Sequence, residues 1–203
     1  MNRNLNLTHS DLRHAGIGAF FRPRDVAPLG VTYYQLQGMV AHGHVEKAGP
    51  GLYRISDAEA TETETIAMVS SAVPHAIVCL LSALRVHEIG TQAPRQVWLA
   101  IKRKARKPRR LPAAVSIVRF SGQMLTYGVV TRSMQGVRVQ ITTPARTVVD
   151  CFRYRNKIGL DVGLEALRDA VRSGKATVSE IDRAADVCRI RTVIAPYLEA
   201  LSA

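Results

Sequence analysis

The chain has 203 residues and an apolar fraction of 47%, enough for one large or two small globular domains that bury their own cores. Charge is the outlier: 28 Lys and Arg against 16 Asp and Glu give +12, a field that draws polyanionic partners. No apolar stretch reaches the length of a membrane span, and MNRNLNLTHSDLRH lacks the apolar core of a secretion signal. Cys79, Cys151 and Cys188 are few, odd in number and far apart, so disulfides are not expected and a reducing cytoplasm is.

The pattern predicts a first helix over 4–15, with Leu5, Leu12 and Ala15 inward, ended by Gly16 and Gly18. Phe20 and Phe21 then fill a small core. Pro23 opens a short helix that Pro28 and Gly30 stop, and Thr32 caps a further helix running to His42. Leu36, Met39 and Val40 share its inner face, while Tyr34, Gln37, Gly38 and Ala41 form an outer face without charge. Residues 44–47 and 52–55 read as two strands around Ala48-Gly49-Pro50-Gly51. Helix, turn, helix and hairpin in this order make a winged helix–turn–helix, whose second helix enters the major groove. Small helix–hairpin modules also dock proteins, so the motif is weighed together with the charge.

Composition turns acidic at Ser56-Asp57-Ala58-Glu59 and Thr61-Glu62-Thr63-Glu64, two capping-box patterns, and the domain boundary is placed there, dividing 1–56 from 57–203. A helix over 61–72 ends at Pro74, and 77–87 (IVCLLSALRVH) reads as a buried helix in which Ser82 packs as a small residue. Strands are expected at 97–101, 115–120 and 137–141, with 127–131 as a weaker candidate. Clean alternation at 137–141 puts one sheet face in solvent, and Arg119 and Arg138 fall on it. Thr143-Pro144 starts a helix in which Arg146 and Asp150 pair one turn apart. Further helices cover 160–171, with Leu164, Leu167 and Val171 on one stripe, then a segment opened by the capping box of Thr177 and Glu180, and finally 192–201. The expected fold class is α+β, a winged module followed by a mixed α/β domain.

In the second helix of the module, Thr32, Tyr33, Tyr34 and Gln37 are the candidates for base contact. Gln suits adenine, and Thr or Tyr suits a thymine methyl or a phosphate. Arg22 and Arg24 flank Pro23, and Lys47 and Arg54 flank the hairpin tip, all four suited to the DNA backbone. The first 56 residues carry a net +3 and the remainder +9, of which the run 102–110 supplies +7. That run comprises Lys102, Arg103, Lys104, Arg106, Lys107, Arg109 and Arg110. It has cations to grip phosphates but no base-reading geometry, so it is assigned affinity rather than specificity. His75, Cys79 and His87 lack an established metal-ligand spacing, and no cofactor is expected. P-loop, dinucleotide, zinc-protease and serine-elbow motifs are missing as well, so no enzymatic role is assigned. The alternative from another class is a nucleic-acid-processing enzyme whose winged module delivers a catalytic C-terminal domain.

Three pieces in order carry a family resemblance: Gly51-Leu52-Tyr53-Arg54; Ser82-Ala83-Leu84-Arg85-Val86-His87; and Thr142 to Asp150 (TTPARTVVD) followed by the Leu164/Leu167 helix. Together they resemble the AbiEi-like antitoxins of type IV toxin–antitoxin systems. The resemblance implies a winged DNA-binding domain joined to an α/β antitoxin domain, and a repressor of its own operon that binds inverted repeats in promoter DNA. It also implies a functional partnership with a nucleotidyltransferase-like toxin, without a stable complex. The hairpin has only Lys47 and Arg54 as cations, which shifts backbone contact onto 102–110.

Overall fold

The structure is a computed structural model that describes residues 8–58 and 63–202. The start of the helix expected over 4–15, and parts of the two capping boxes near residue 60, lie outside them. The chain divides into two units. The first is Met1–Pro74 with Pro108–Ala113 and Arg132–Val139, and the second is His75–Lys107, Ala114–Thr131 and Gln140–Ala203. The first unit therefore reaches past the expected boundary at residue 56 and borrows two later segments.

The first unit begins with helix α1 (His9–His14), strand β1 (Phe20–Phe21) and helix α2 (Pro23–Val26), followed by a 3-10 turn at Ala27–Leu29. Gly30 then turns the chain at φ 78°, a left-handed value that a side chain disfavours. Helix α3 (Tyr33–Ala41) follows, opened by the expected cap at Thr32. The Thr32 hydroxyl accepts the Gln35 N–H at 3.2 Å, and Gln35 Oε1 in turn accepts the Thr32 N–H at 2.8 Å. Strands β2 (Val45–Gly49) and β3 (Leu52–Ile55) form the hairpin, and β1 pairs with β3 to give a three-stranded sheet in the order β1-β3-β2. Leu12, Phe21, Val26, Leu36, Met39, Tyr53 and Ile55 close one small core beneath α3. Asp57 ties back to α1, accepting from Arg13 at 3.1 Å. Helix α4 (Glu64–Ala72) completes this part, and Val73 caps it before Pro74.

The second unit contributes strand β4 (Ile77–Val78), helix α5 (Leu80–His87), and strands β5 (Val97–Lys102) and β6 (Val115–Phe120). In place of the single helix expected over 77–87, residues Ile77–Val78 form a strand and the helix starts at Leu80. Ile77 and Val78 are β-branched and lie between β5 and a later strand, so sheet pairing prevails over helical pattern. After strand β7 (Val129–Met134), the hairpin turns at Gln135 and Gly136, both at positive φ, into strand β8 (Val137–Thr142). The five-stranded sheet has the order β6-β5-β4-β8-β7, with β4 parallel to β8 and antiparallel to β5. In β8, Val137, Val139 and Ile141 are buried while Arg138 and Gln140 are exposed, the expected alternation.

Helices α6 (Pro144–Arg153), α7 (Arg155–Ile158), α8 (Leu160–Arg172), α9 (Val178–Val187) and α10 (Arg191–Ser202) follow. The core of this unit gathers Leu84, Phe120, Val148, Phe152, Leu167 and Ile194 among others. Within α8 the most buried positions are Val162, Gly163, Ala166, Leu167 and Ala170, so the stripe sits beside the expected one, with Leu164 and Val171 at its rim. The Arg146–Asp150 pair forms as expected, at 3.0 Å, but wholly buried. Arg146 also donates to the carbonyls of Tyr127 (2.6 Å) and Met124 (3.2 Å), and its guanidinium lies 4.9 Å over the Phe120 ring. Desolvation would make either ion costly alone, so the pair and these acceptors are needed together. All three cysteines are free and buried.

Candidate nucleic-acid interface

The outer face of α3 carries no charged side chain. Tyr34 is 86% exposed and Tyr33 is 68% exposed, an unusual cost in hydrated aromatic area. Leu36 and Met39 fix which face points inward, so helical spacing leaves Tyr33, Tyr34 and Gln37 side by side on the other. Gln37 is half-buried, and its amide nitrogen donates to the hydroxyl of Tyr53 at 3.2 Å. At Gly38 a Cβ would meet nothing within 4 Å, so its absence serves no internal packing. Thr32 stands differently from its three companions, because its hydroxyl already closes the cap with Gln35.

The cations divide by what holds them. Arg54 is only 16% exposed along its side chain; it lies 2.9 Å from Glu46 and 3.1 Å from Glu64 and donates to the carbonyl of Ala58. Its charge is answered inside the first unit, which takes it out of the backbone-contact set expected from sequence. Arg22 is half-buried, with one guanidinium nitrogen donating to the carbonyl of Ala72 at 3.2 Å. Arg24 is exposed beside Asp25, and Lys47 is exposed on β2.

All seven cations of the basic run are exposed, and none forms an ion pair among the described residues. Arg109 and Arg110 belong to the first unit, together with Pro112. A Cβ placed on Gly49 would lie 3.2 Å from Pro112 Cβ, so the hairpin packs close to Pro112, two residues past the run. Lys102, Arg103, Lys104, Arg106 and Lys107 belong to the second unit. There Arg119, which sequence placed only on a solvent face, donates to the carbonyls of Lys102 (3.2 Å), Arg103 (3.3 Å) and Ala105. Tyr154 in turn donates to the Arg119 carbonyl at 2.8 Å. The start of the loop is thus shaped by a further arginine. No local sequence signal marks this, because the partners are carbonyls from the end of β5 and the loop after it, distant in sequence from Arg119.

Elsewhere in the second unit an open cleft of about 380 Å³ lies at the start of α6, lined by Thr143, Arg146, Lys175, Glu180 and Arg183. Its charged groups are largely engaged: Lys175 donates to the Glu88 carbonyl at 2.7 Å, and Glu180 caps its own helix at Thr177. That hydrogen bond from the Thr177 backbone holds the Glu180 carboxyl below its usual range. Ser82 accepts the Trp98 N–H at 2.9 Å and is buried, a structural link between α5 and β5 in place of the simple packing role expected. Among the described residues no group of three His, Cys, Asp or Glu side chains could hold a metal ion. No described helix is long and apolar enough to cross a membrane.

Compared with family models and with curated protein sequences, the chain matches none. Among solved structures, it is similar to the crystal structure of the Rv2827c protein from Mycobacterium tuberculosis, with a TM-score of 0.50 and 16% sequence identity. The similarity covers 89% of this chain and 66% of that one, so this chain spans just under two thirds of the length of its structural neighbour, and the likeness is one of fold.

Proposed function

We propose that the chain is a sequence-specific DNA-binding repressor of its own operon and the antitoxin of a type IV toxin–antitoxin pair. On this reading the first unit is a winged helix–turn–helix, α3 is its recognition helix and β2–β3 its wing. One observation carries the proposal: a capped helix follows a tight Gly30 turn, precedes a hairpin and holds two tyrosines in water on a face without charge. Such a face can approach base edges closely, with rings against thymine methyls and an amide against adenine. Exposed cations that form no ion pair among the described residues, at Lys47 and along 102–110, support the phosphate-binding half of the reading. The antitoxin role and the nucleotidyltransferase-like partner rest on the resemblance to AbiEi-like proteins. On this reading α3 of the first unit reads bases, and the basic run, whose residues are divided between the two units, gives backbone affinity.

Fluorescence anisotropy with duplex DNA from directly upstream of the coding sequence tests this. The expected result is binding that outcompetes scrambled duplex of equal length. Equal affinity for both duplexes would remove the repressor. Turnover of plasmid or RNA with a divalent metal would replace it by the enzyme alternative.

A further inference from the structure

Tyr53 sits in the Gly-Leu-Tyr-Arg segment and is 5% exposed. Its ring is fixed from two sides: its Cα pairs with that of Phe21 across β1–β3, and the two rings stack with centroids 5.9 Å apart and planes 24° apart. Leu36 and Met39 of α3 belong to the same core. A phenylalanine would satisfy every one of these apolar contacts. The hydroxyl is the surplus, and its hydrogen-bond partner is the Gln37 amide nitrogen at 3.2 Å. A buried phenol oxygen needs a partner, but a half-exposed glutamine at this place has a second consequence.

An amide nitrogen carries two hydrogens. With one directed at Tyr53, the other hydrogen and Oε1 remain side by side on the outer face of α3. That donor–acceptor pair is the complement of adenine N7 and N6 in the major groove. The bond also removes rotamer freedom that a mobile glutamine would lose on binding.

We infer that Tyr53, from the core, is a positioning residue that presents Gln37 to an adenine, so the wing strand helps to set the base preference of the recognition helix. The inference rests on the DNA-binding reading. α3 has no Arg or Lys, so the commonest guanine-reading contact is missing from it, which accords with an adenine-directed helix.

The test starts from duplexes selected by the full-length protein out of a random-sequence pool, re-synthesised with 7-deazaadenine at single positions. Wild type is expected to show an adenine whose loss of N7 weakens binding about tenfold. Tyr53→Phe, which keeps the ring stack, should bind the parent duplex about fivefold more weakly and show a much smaller 7-deaza penalty. Gln37→Ala should abolish that penalty, and the double variant should be no weaker than Gln37→Ala alone. A full 7-deaza penalty in Tyr53→Phe, or additive losses in the double variant, would overturn the positioning role and leave DNA binding standing. Failure of the wild type to enrich any sequence from the pool would overturn both.

Discussion

Arg54 lies on the second strand of the hairpin, where a cation suggests phosphate contact, yet its guanidinium faces Glu46, Glu64 and a carbonyl. Arg54→Ala should therefore lower stability by about 1–3 kcal/mol in a denaturant melt, since it strands partly buried acceptors. The same variant should leave the salt slope of DNA binding unchanged. Asp150 makes a different prediction. Burial pushes its carboxyl up to about 6, with the Arg146 guanidinium acting against the shift. The folded chain then holds a proton there after the unfolded chain has released it, so stability from this group is greatest at acid pH. It is lost as pH rises from about 4 through about 6 and is level above that. Asp150→Asn should be destabilised throughout, and its deficit relative to wild type should narrow over that interval in urea melts at stepped pH.

Most of α3 was legible in the sequence because its signals are local. Thr32 with Gln35 three residues on, the spacing of Leu36 and Met39, and Gly43 at the end each act within a few residues. The α6 start at Thr143-Pro144 was legible for the same reason. Strand β4 was not, because two residues form it only when both neighbouring strands are present. The β7–β8 turn was likewise obscured, since Gln135 at φ 50° lacks the Asn or Asp that usually marks such a turn. Of the candidate site, exposure of Tyr34 could be read from periodicity, whereas the fates of Arg54, Arg119 and Gln37 depend on partners distant in sequence. Gly38 gives α3 its own prediction. A Cβ there has open space, so Gly38→Ala should stabilise the fold by about 0.5–1 kcal/mol, as alanine does in a helix interior. If α3 lies against base pairs, the same methyl should weaken specific binding. A variant both more stable and fully active would place α3 outside the groove.

The charge of the chain is concentrated where no acidic side chain among the described residues pairs with it. Lys102, Arg103, Lys104, Arg106, Lys107, Arg109 and Arg110 are exposed and account for more than half of the formal +12. Replacing them with Gln or Ser should weaken specific and scrambled duplexes alike. The slope of log affinity against log salt should become shallower by roughly 0.9 for each phosphate that the variant no longer neutralises. An unchanged slope would assign the run to solvent alone. On the proposed reading, base reading and phosphate grip reside on different residues and should be separable. The most direct measurement is the ratio of affinities for upstream and scrambled duplex, taken for wild type and Tyr34→Ala at one salt concentration. With Tyr34 86% exposed, its truncation removes little internal packing, so thermal stability and scrambled-duplex affinity should stay within experimental error of wild type. The affinity ratio itself should collapse toward one. A ratio equal to that of wild type would contradict the assignment of α3 as the reading helix.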